Sequence, residues 1–216
     1  MLFHPFAERR LQDRQIAAPS VLELCCGAGD FTHEFLVVRP VTSSYCCVDV
    51  SWDALAKLED RLSEVDLRSR VTCVPGYFGF DEGLHSFLQL GFKDGFDLVV
   101  CARALMHIPD VIPFFSAVRD ALSSDGVFVA DTILDSHRRK KWGDNYGSAA
   151  YALELLYQTT SYLVSCGLGS KFFTRIGFLR SDFRSKQEII SSLSRAGLSL
   201  HREEHDSKNY YYRFSA

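Results

Sequence analysis

One short stretch constrains the fold of this 216-residue chain more than any other. Val21–Leu24 indicate a buried strand, Gly27 and Gly29 interrupt it, and Asp30–Leu36 predict a helix. A strand that turns through glycines into a helix lets a ligand approach the backbone, because no Cβ atom stands in the way. The turn also directs unpaired N–H groups at that ligand. The stretch therefore predicts a ligand site, with a plain strand-to-helix connection as the alternative.

The glycine spacing separates two ligand classes. A dinucleotide fingerprint has the form G-x-G-x-x-G, and Thr32 stands where its third glycine is needed. A nicotinamide-dependent oxidoreductase is therefore a weak alternative. The stretch instead resembles the first motif of the class I S-adenosylmethionine-dependent methyltransferases, which usually reads acidic-x-Gly-x-Gly-x-Gly. The matching residues are Glu23, Gly27 and Gly29, with Cys25 in place of the first glycine.

This resemblance covers about residue 18 to the C-terminus, apart from one insertion. It implies that S-adenosylmethionine is the cofactor and that Glu23, Cys25, Gly27 and Gly29 bind it. It also implies an α/β fold with a doubly wound, Rossmann-like sheet of seven mostly parallel strands in the order 3-2-1-4-5-7-6.

Five continuous apolar runs support such a fold, because parallel strands covered on both faces lack the alternating pattern of half-exposed ones. A helix before the fifth run, a final helix and a terminal hairpin complete the pattern. The predicted strands are Val21–Leu24, Tyr45–Val50, Arg70–Val74, Phe96–Cys101 and Val127–Asp131, the helices are Asp110–Ser123 and Phe183–Ala196, and the hairpin joins Leu198–Glu204 to Tyr210–Phe214.

Asp49 lies near the end of the second predicted strand, beside the expected position of the glycine turn. A carboxylate at this strand tip can accept both hydroxyl groups of a ribose. A turn or helix-capping acid is the alternative, and the neighbouring glycines favour ribose binding. The same strand tip brings Val50 to the predicted cofactor site.

The resemblance assigns two more strand ends to the cofactor. An acid after the third strand often holds the adenine amino group, and Tyr77 takes about that position here. The adenine is therefore expected against backbone amides near Phe78, although these aromatic side chains also suit a core. Cys101 and Ala102 begin a turn that, in small-molecule methyltransferases, lies under the methionine part of the cofactor.

His107 lies in the same turn and is the candidate general base. Histidine changes charge near neutral pH, and a base is needed only when the acceptor is an O–H or N–H group. A structural role, in which the ring holds the loop, is the alternative. The motif Asn-Pro-Pro-aromatic is missing after the fourth strand, which argues against DNA amino-methyltransferases and glutamine methyltransferases.

Residues 132–181 are too long for an ordinary connection and carry many Tyr and Phe side chains. They predict an inserted helical lid that covers the strand ends, excludes water and supplies most of the substrate pocket. Arg138–Lys141 form a basic run inside the lid. Such a run is either a solvated face or an attraction for an acidic substrate or a nucleic acid.

Composition sets the remaining limits. The 47% hydrophobic content suits one soluble domain spanning residues 1–216, and the net charge of −3 argues against a nucleic-acid partner. No apolar run approaches the roughly 18 residues of a membrane span, and the N-terminus has no signal-peptide pattern. None of the seven cysteines forms C-x-x-C pairs. We therefore expect no metal site, and reduced thiols in the cytoplasm.

These observations predict a cytoplasmic methyltransferase that uses S-adenosylmethionine to modify O or N of a small-molecule metabolite. One alternative is a tRNA or protein methyltransferase that binds its substrate through Arg138–Lys141. The other is a non-catalytic binding protein that keeps the fold, since Cys25 and Tyr77 depart from the family pattern. The motifs specify neither an acceptor nor an oligomeric state.

Overall fold

The computed structural model describes residues 3–39, 44–76, 94–134, 136, 183–206 and 211–216. These residues form seven strands and five α-helices. The strands are β1 Ser20–Leu24, β2 Ser44–Asp49, β3 Thr72–Pro75, β4 Phe96–Cys101, β5 Leu122–Ile133, β6 Arg202–Asp206 and β7 Tyr211–Ser215. The helices are α1 Phe3–Asp13, α2 Asp30–Val38, α3 Trp52–Glu64, α4 Val111–Ala121 and α5 Lys186–Arg195, with 3-10 turns at Arg68–Arg70 and Leu105–His107.

All seven described strands form one sheet in the order β3-β2-β1-β4-β5-β7-β6. Strands β1 to β5 are parallel to one another, and β7 pairs antiparallel with both β5 and β6. The predicted fold class and strand order are confirmed. Because the chain moves outward from β1 to β3 and then restarts at β4, the order reverses between β1 and β4. Ligands of such sheets bind at this reversal, outside the carboxyl ends of the strands.

Both faces of the sheet are covered, as the continuous apolar runs predict. Leu22 and Leu24 of β1 belong to the core that packs against α4 and α5. Val21 points to the opposite face, where α1, α2 and α3 cover the sheet. Successive strand residues point to opposite faces, so a strand buried on both sides must be apolar at nearly every position.

Several element boundaries differ from the sequence prediction. Helix α4 ends at Ala121, not at Ser123, because the chain enters β5 at Leu122 and pairs there with Phe96 of β4. The register of this pair shifts between Phe96 and Leu98, and the backbone passes so close that a Cβ atom on Gly126 would lie 2.5 Å from the Phe96 carbonyl oxygen. The pairing of β5 with β4 therefore ends the helix two residues before the predicted position.

At the C-terminal end, α5 begins at Lys186 rather than Phe183 and ends at Arg195. Ser185 caps it, and Glu188 completes a capping box with two reciprocal hydrogen bonds. Strand β6 starts at Arg202, later than the predicted Leu198.

The predicted lid falls almost entirely outside the described residues. Thr132 and Ile133 are the last residues of β5, and Leu134 and residue 136 are the other lid positions described. Across the described part of the chain, no helix combines the length and apolar character that crossing a membrane requires.

Candidate active site

The glycine turn connects β1 to α2 through three residues with left-handed backbone. Cys25, Gly27 and Gly29 have φ values of 56°, 56° and 77°. A Cβ atom on Gly29 would lie 2.2 Å from Leu58 Cδ1, so this glycine is needed where α3 packs against the turn. A Cβ atom on Gly27 would meet nothing within 4 Å, so its backbone faces open space. Cys25 therefore has a backbone conformation that glycine adopts without strain but that strains a residue with a side chain.

Asp49 joins the end of β2 to this turn. Its Oδ2 accepts a hydrogen bond of 2.8 Å from the Gly27 N–H group. Its Oδ1 accepts one of 2.8 Å from Ser51 N–H, and Ser51 caps α3 by accepting from Ala54 N–H. The carboxylate therefore holds both the glycine turn and the start of α3. The second contact is the capping role that was the alternative for Asp49 in the sequence prediction. Each carboxylate oxygen keeps further acceptor capacity.

A cavity of about 530 Å³ opens at the carboxyl ends of β1, β2 and β4. Its size is within the range of small-molecule sites. Gly29 and Cys101 are not part of the wall, since Gly29 packs on Leu58 and Cys101 is fully buried. Tyr77 and Phe78 lie outside the described residues. The other predicted site residues line the cavity, namely Glu23, Cys25, Gly27, Asp49, Val50, Ala102 and His107.

Glu23 lies at the inner end of the cavity and is almost completely buried. Its Oε2 accepts hydrogen bonds of 2.6 Å from Thr32 Oγ1 and 2.7 Å from the Tyr45 hydroxyl group. Burial raises the pKa of Glu23 to about 7, and the two hydrogen bonds oppose this change. The side chain thereby links β1, β2 and α2 directly beneath the glycine turn.

A second strained turn follows β4. Arg103 has a φ of 57° and donates its backbone N–H to Oδ1 of Asp131, near the end of β5. Asp131 is buried, which raises its pKa to about 6, while the hydrogen bond from Arg103 opposes the rise. This contact fixes the direction in which the Arg103 side chain leaves the backbone.

His107 ends the 3-10 turn after β4 and lines the cavity from the side opposite β2. Its backbone N–H donates to the Ala104 carbonyl oxygen at 2.8 Å. Arg184 holds the same turn from outside, because its guanidinium donates to the carbonyl oxygens of Leu105, Ile108 and Pro109 at 3.2, 2.6 and 3.0 Å. The turn that carries the candidate base is therefore anchored by a charged group.

The described residues contain no group of three or more His, Cys, Asp and Glu side chains that could hold a metal ion. The six cysteines in this part of the chain are free thiols.

Residues 22–128 match the family model described as "Methyltransferase domain". That range contains the glycine turn, Asp49 and the turn after β4, and the strand order is the one that the motif implies. Over this range the chain matches a methyltransferase domain, and its fold is the one expected for the class I S-adenosylmethionine-dependent methyltransferases that its first motif resembles.

Comparison with individual proteins finds distant relatives of this chain. The chain is 27% identical over 143 residues to nodulation protein S of Bradyrhizobium diazoefficiens. The match covers 66% of this chain and 60% of that protein, so the chain spans less than two thirds of that relative's length.

Two solved structures share the fold at low identity. An S-adenosylmethionine-dependent methyltransferase from Clostridium acetobutylicum has a TM-score of 0.65 and 14% identity, with 99% of this chain and 89% of that chain covered. The mitomycin 7-O-methyltransferase has a TM-score of 0.62 and 15% identity, with 96% of this chain and 53% of that chain covered. At such identities the likeness shows the fold alone.

Three residues of this candidate site were not predicted from the sequence. Arg103, Asp131 and Arg184 shape the cavity or its supporting turn, yet none of them belongs to the glycine motif. Arg103 could have been noticed as a charged residue one position beyond a predicted cofactor contact. The other two act through partners 28 to 79 residues away along the chain, which no local pattern marks.

Proposed function

We propose that this methyltransferase transfers a methyl group from S-adenosylmethionine to O or N of a small-molecule metabolite. The observation that carries the proposal is the hydrogen bond between Asp49 and Gly27, which joins a strand-end carboxylate to a glycine turn at one cavity. Close backbone approach and a carboxylate oxygen with remaining acceptor capacity are what an adenosine ligand needs.

The residues present fit this cofactor. Open space over Gly27 admits a ligand against the backbone, and Asp49 lies beside it with acceptor capacity for ribose hydroxyl groups. Val50 and Ala102 contribute apolar wall on either side of the turn. We keep Tyr77 and Phe78 as the proposed adenine contacts. S-adenosylmethionine, when bound, supplies an electrophilic methyl group on a positively charged sulfur.

The chain's own contribution is then to position the acceptor and to manage its proton. His107 lines the cavity on a turn that Arg184 anchors, which puts it beside the space proposed for the acceptor. We propose that His107 removes the proton from an acceptor O–H or N–H group as the methyl group is transferred. General base catalysis of this kind contributes about 10²–10⁴-fold.

The size of the cavity supports a small acceptor. About 530 Å³ suits a cofactor together with a small molecule. The mitomycin 7-O-methyltransferase shares this fold, and we propose a small-molecule acceptor here as well. The free thiols of the described residues support a reducing, cytoplasmic location for the reaction.

Titration calorimetry with S-adenosylhomocysteine tests the cofactor site. We expect wild-type protein to bind it, and Asp49→Asn to bind at least about tenfold more weakly, because one charge-assisted hydrogen bond is lost. Asp53→Asn, which alters an exposed acid four residues away, is the matched control and should bind like wild type. Failure of the wild-type protein to bind would overturn the proposal.

Methyl transfer itself is tested with labelled S-adenosylmethionine and a panel of hydroxylated and amine-bearing metabolites. With any accepted substrate, His107→Asn should lower the turnover rate by about 100-fold or more and leave S-adenosylhomocysteine affinity unchanged. An unchanged rate assigns His107 a structural role.

A further inference from the structure

An unbalanced cluster of charges lies at the mouth of the cavity. The Asp30 carboxylate accepts a hydrogen bond of 2.9 Å from Arg61 at Oδ1 and one of 3.3 Å from Arg103 at Oδ2. These hydrogen bonds hold the pKa of Asp30 below its ordinary value, and the one from Arg61 has the larger effect. Two guanidinium groups share one carboxylate, so a net positive charge remains beside the cavity.

The two arginines are held differently. Arg61 also donates to the Ala28 carbonyl oxygen at 2.7 Å, which ties it to the glycine turn. Among the described residues, the Arg103 guanidinium bonds only to Asp30, and its side chain is 44% exposed while lining the cavity. Exposed ion pairs of this kind contribute little to stability. Arg103 can therefore leave Asp30, because Arg61 keeps that carboxylate paired.

The Arg103 backbone is fixed although its side chain can move. Its left-handed φ of 57° is unfavourable for a residue with a Cβ atom. The hydrogen bond from its N–H group to the buried Asp131 carboxyl maintains this conformation. Residues held in such conformations concentrate at functional sites, because the surrounding structure must offset their cost.

Arg103 lies across the glycine turn from Asp49. The order β2-β1-β4 places these residues on opposite sides of β1, about two strand spacings or roughly 10 Å apart. With the ribose at Asp49, the amino-acid chain of the cofactor is the part that extends toward Arg103. That chain ends in a carboxylate, whose negative charge would balance the net positive charge of the cluster.

We propose that Arg103 binds the α-carboxylate of the methionine part of S-adenosylmethionine, taking it in place of Asp30. This inference rests on the proposed function of the cavity. A guanidinium group matches a carboxylate with two parallel hydrogen bonds, which makes arginine better suited to this role than lysine. A carboxylate on the acceptor has the same chemistry, and the experiment separates the two sources.

The test compares two ligands that differ in the amino-acid chain. S-adenosylhomocysteine carries the carboxylate, whereas methylthioadenosine has the same nucleoside and thioether without it. By calorimetry, Arg103→Gln should lower the affinity for S-adenosylhomocysteine by about tenfold or more and leave that for methylthioadenosine unchanged. Arg68→Gln is the matched control, because Arg68 is 42% exposed, pairs with Glu59 and does not line the cavity.

Two results would overturn the inference. If Arg103→Gln binds S-adenosylhomocysteine as wild type does, Arg103 does not bind the cofactor carboxylate, and an acceptor carboxylate becomes its candidate ligand. If the variant loses affinity equally for both ligands, the substitution has damaged the cavity and has not removed a specific contact. A wild-type protein that binds neither ligand removes the proposed function itself, and with it this inference. That failure is recognised before any variant is made.

Discussion

The hydroxyl group of Tyr45 donates a hydrogen bond of 2.7 Å to Oε2 of Glu23, from strand β2 to the neighbouring strand β1. Thr32 Oγ1 donates to the same oxygen at 2.6 Å, and all three side chains are buried. Burial raises the pKa of Glu23 to about 7. The folded protein therefore keeps the carboxyl proton of Glu23 over a pH range in which the unfolded chain loses it.

The protein should therefore lose stability as pH rises from about 4.5 to about 7. Below this window Glu23 is protonated in both states, and within it ionisation favours the unfolded chain until the folded carboxyl also ionises. The pKa difference corresponds to about 3 kcal/mol. Glu23→Gln keeps an acceptor oxygen and removes the titration. Urea unfolding across pH should show a smaller fall for the variant, and parallel curves would contradict the assignment.

Much of the fold could be predicted because its signals are local. Strand β4 was predicted at its exact bounds, Phe96–Cys101, since an apolar run between a glycine loop and a turn leaves little choice. The start of α2 at Asp30 follows directly from Gly29, and Ser51 caps α3 as its residue type predicts. Parallel strand ends meet at one edge, so most of the predicted cofactor residues that the structure describes line one cavity, although Gly29 and Cys101 do not.

The remaining features depend on contacts between distant parts of the chain. The sequence motif assigns Glu23 to the cofactor, and the structure adds two buried partners, one of them 22 residues away on β2. Nothing around Arg103 indicates that its N–H group meets Asp131 on another strand. The end of α4 was misplaced because the pairing of Leu122 with Phe96 outweighs the turn signal of the following glycine.

Alanine at Gly27 and at Gly29 should have opposite consequences. At Gly27 the new Cβ atom enters open space, so only the left-handed backbone is penalised, by about 1 kcal/mol, but the methyl group occupies the space proposed for the cofactor. At Gly29 the Cβ atom also meets Leu58 at 2.2 Å, which adds about 1–3 kcal/mol of overpacking. Thermal unfolding and S-adenosylhomocysteine calorimetry on both variants check this.

The contrast between the two variants is the control. Gly27→Ala should remain the more stable of the pair and yet bind the ligand more weakly. A stable Gly27→Ala protein with wild-type affinity would show that the cofactor passes elsewhere.

Cys25 should accept glycine and reject valine. Its φ of 56° costs a residue with a Cβ atom about 1 kcal/mol, and glycine removes this cost while adding a similar amount of unfolded-state entropy. Cys25→Gly should therefore unfold within about 1 kcal/mol of wild type. Valine is branched at Cβ and should cost about 2 kcal/mol or more. Urea unfolding of both variants measures the difference, and equal stabilities would rule out strain at this position.

Arg184 should stabilise the turn that carries His107. Arg184→Met removes a charged donor from three carbonyl oxygens, the shortest contact being 2.6 Å to Ile108, and should lower the free energy of unfolding by about 2 kcal/mol. Arg195→Met, at an exposed position near the end of α5, is the control for loss of an arginine and should change stability little.

The functional consequence of Arg184→Met is measured separately from its stability. If the anchored turn positions His107, the variant should lower the methyl-transfer rate and shift the His107 ring signal in ¹H–¹³C spectra, while S-adenosylhomocysteine binds as before. The proposed cofactor residues on β1 and β2 belong to other elements than the turn that this guanidinium holds, so ligand affinity separates loss of positioning from general unfolding. If Arg184→Met is less stable but the His107 signal does not shift, Arg184 stabilises the fold and does not position His107.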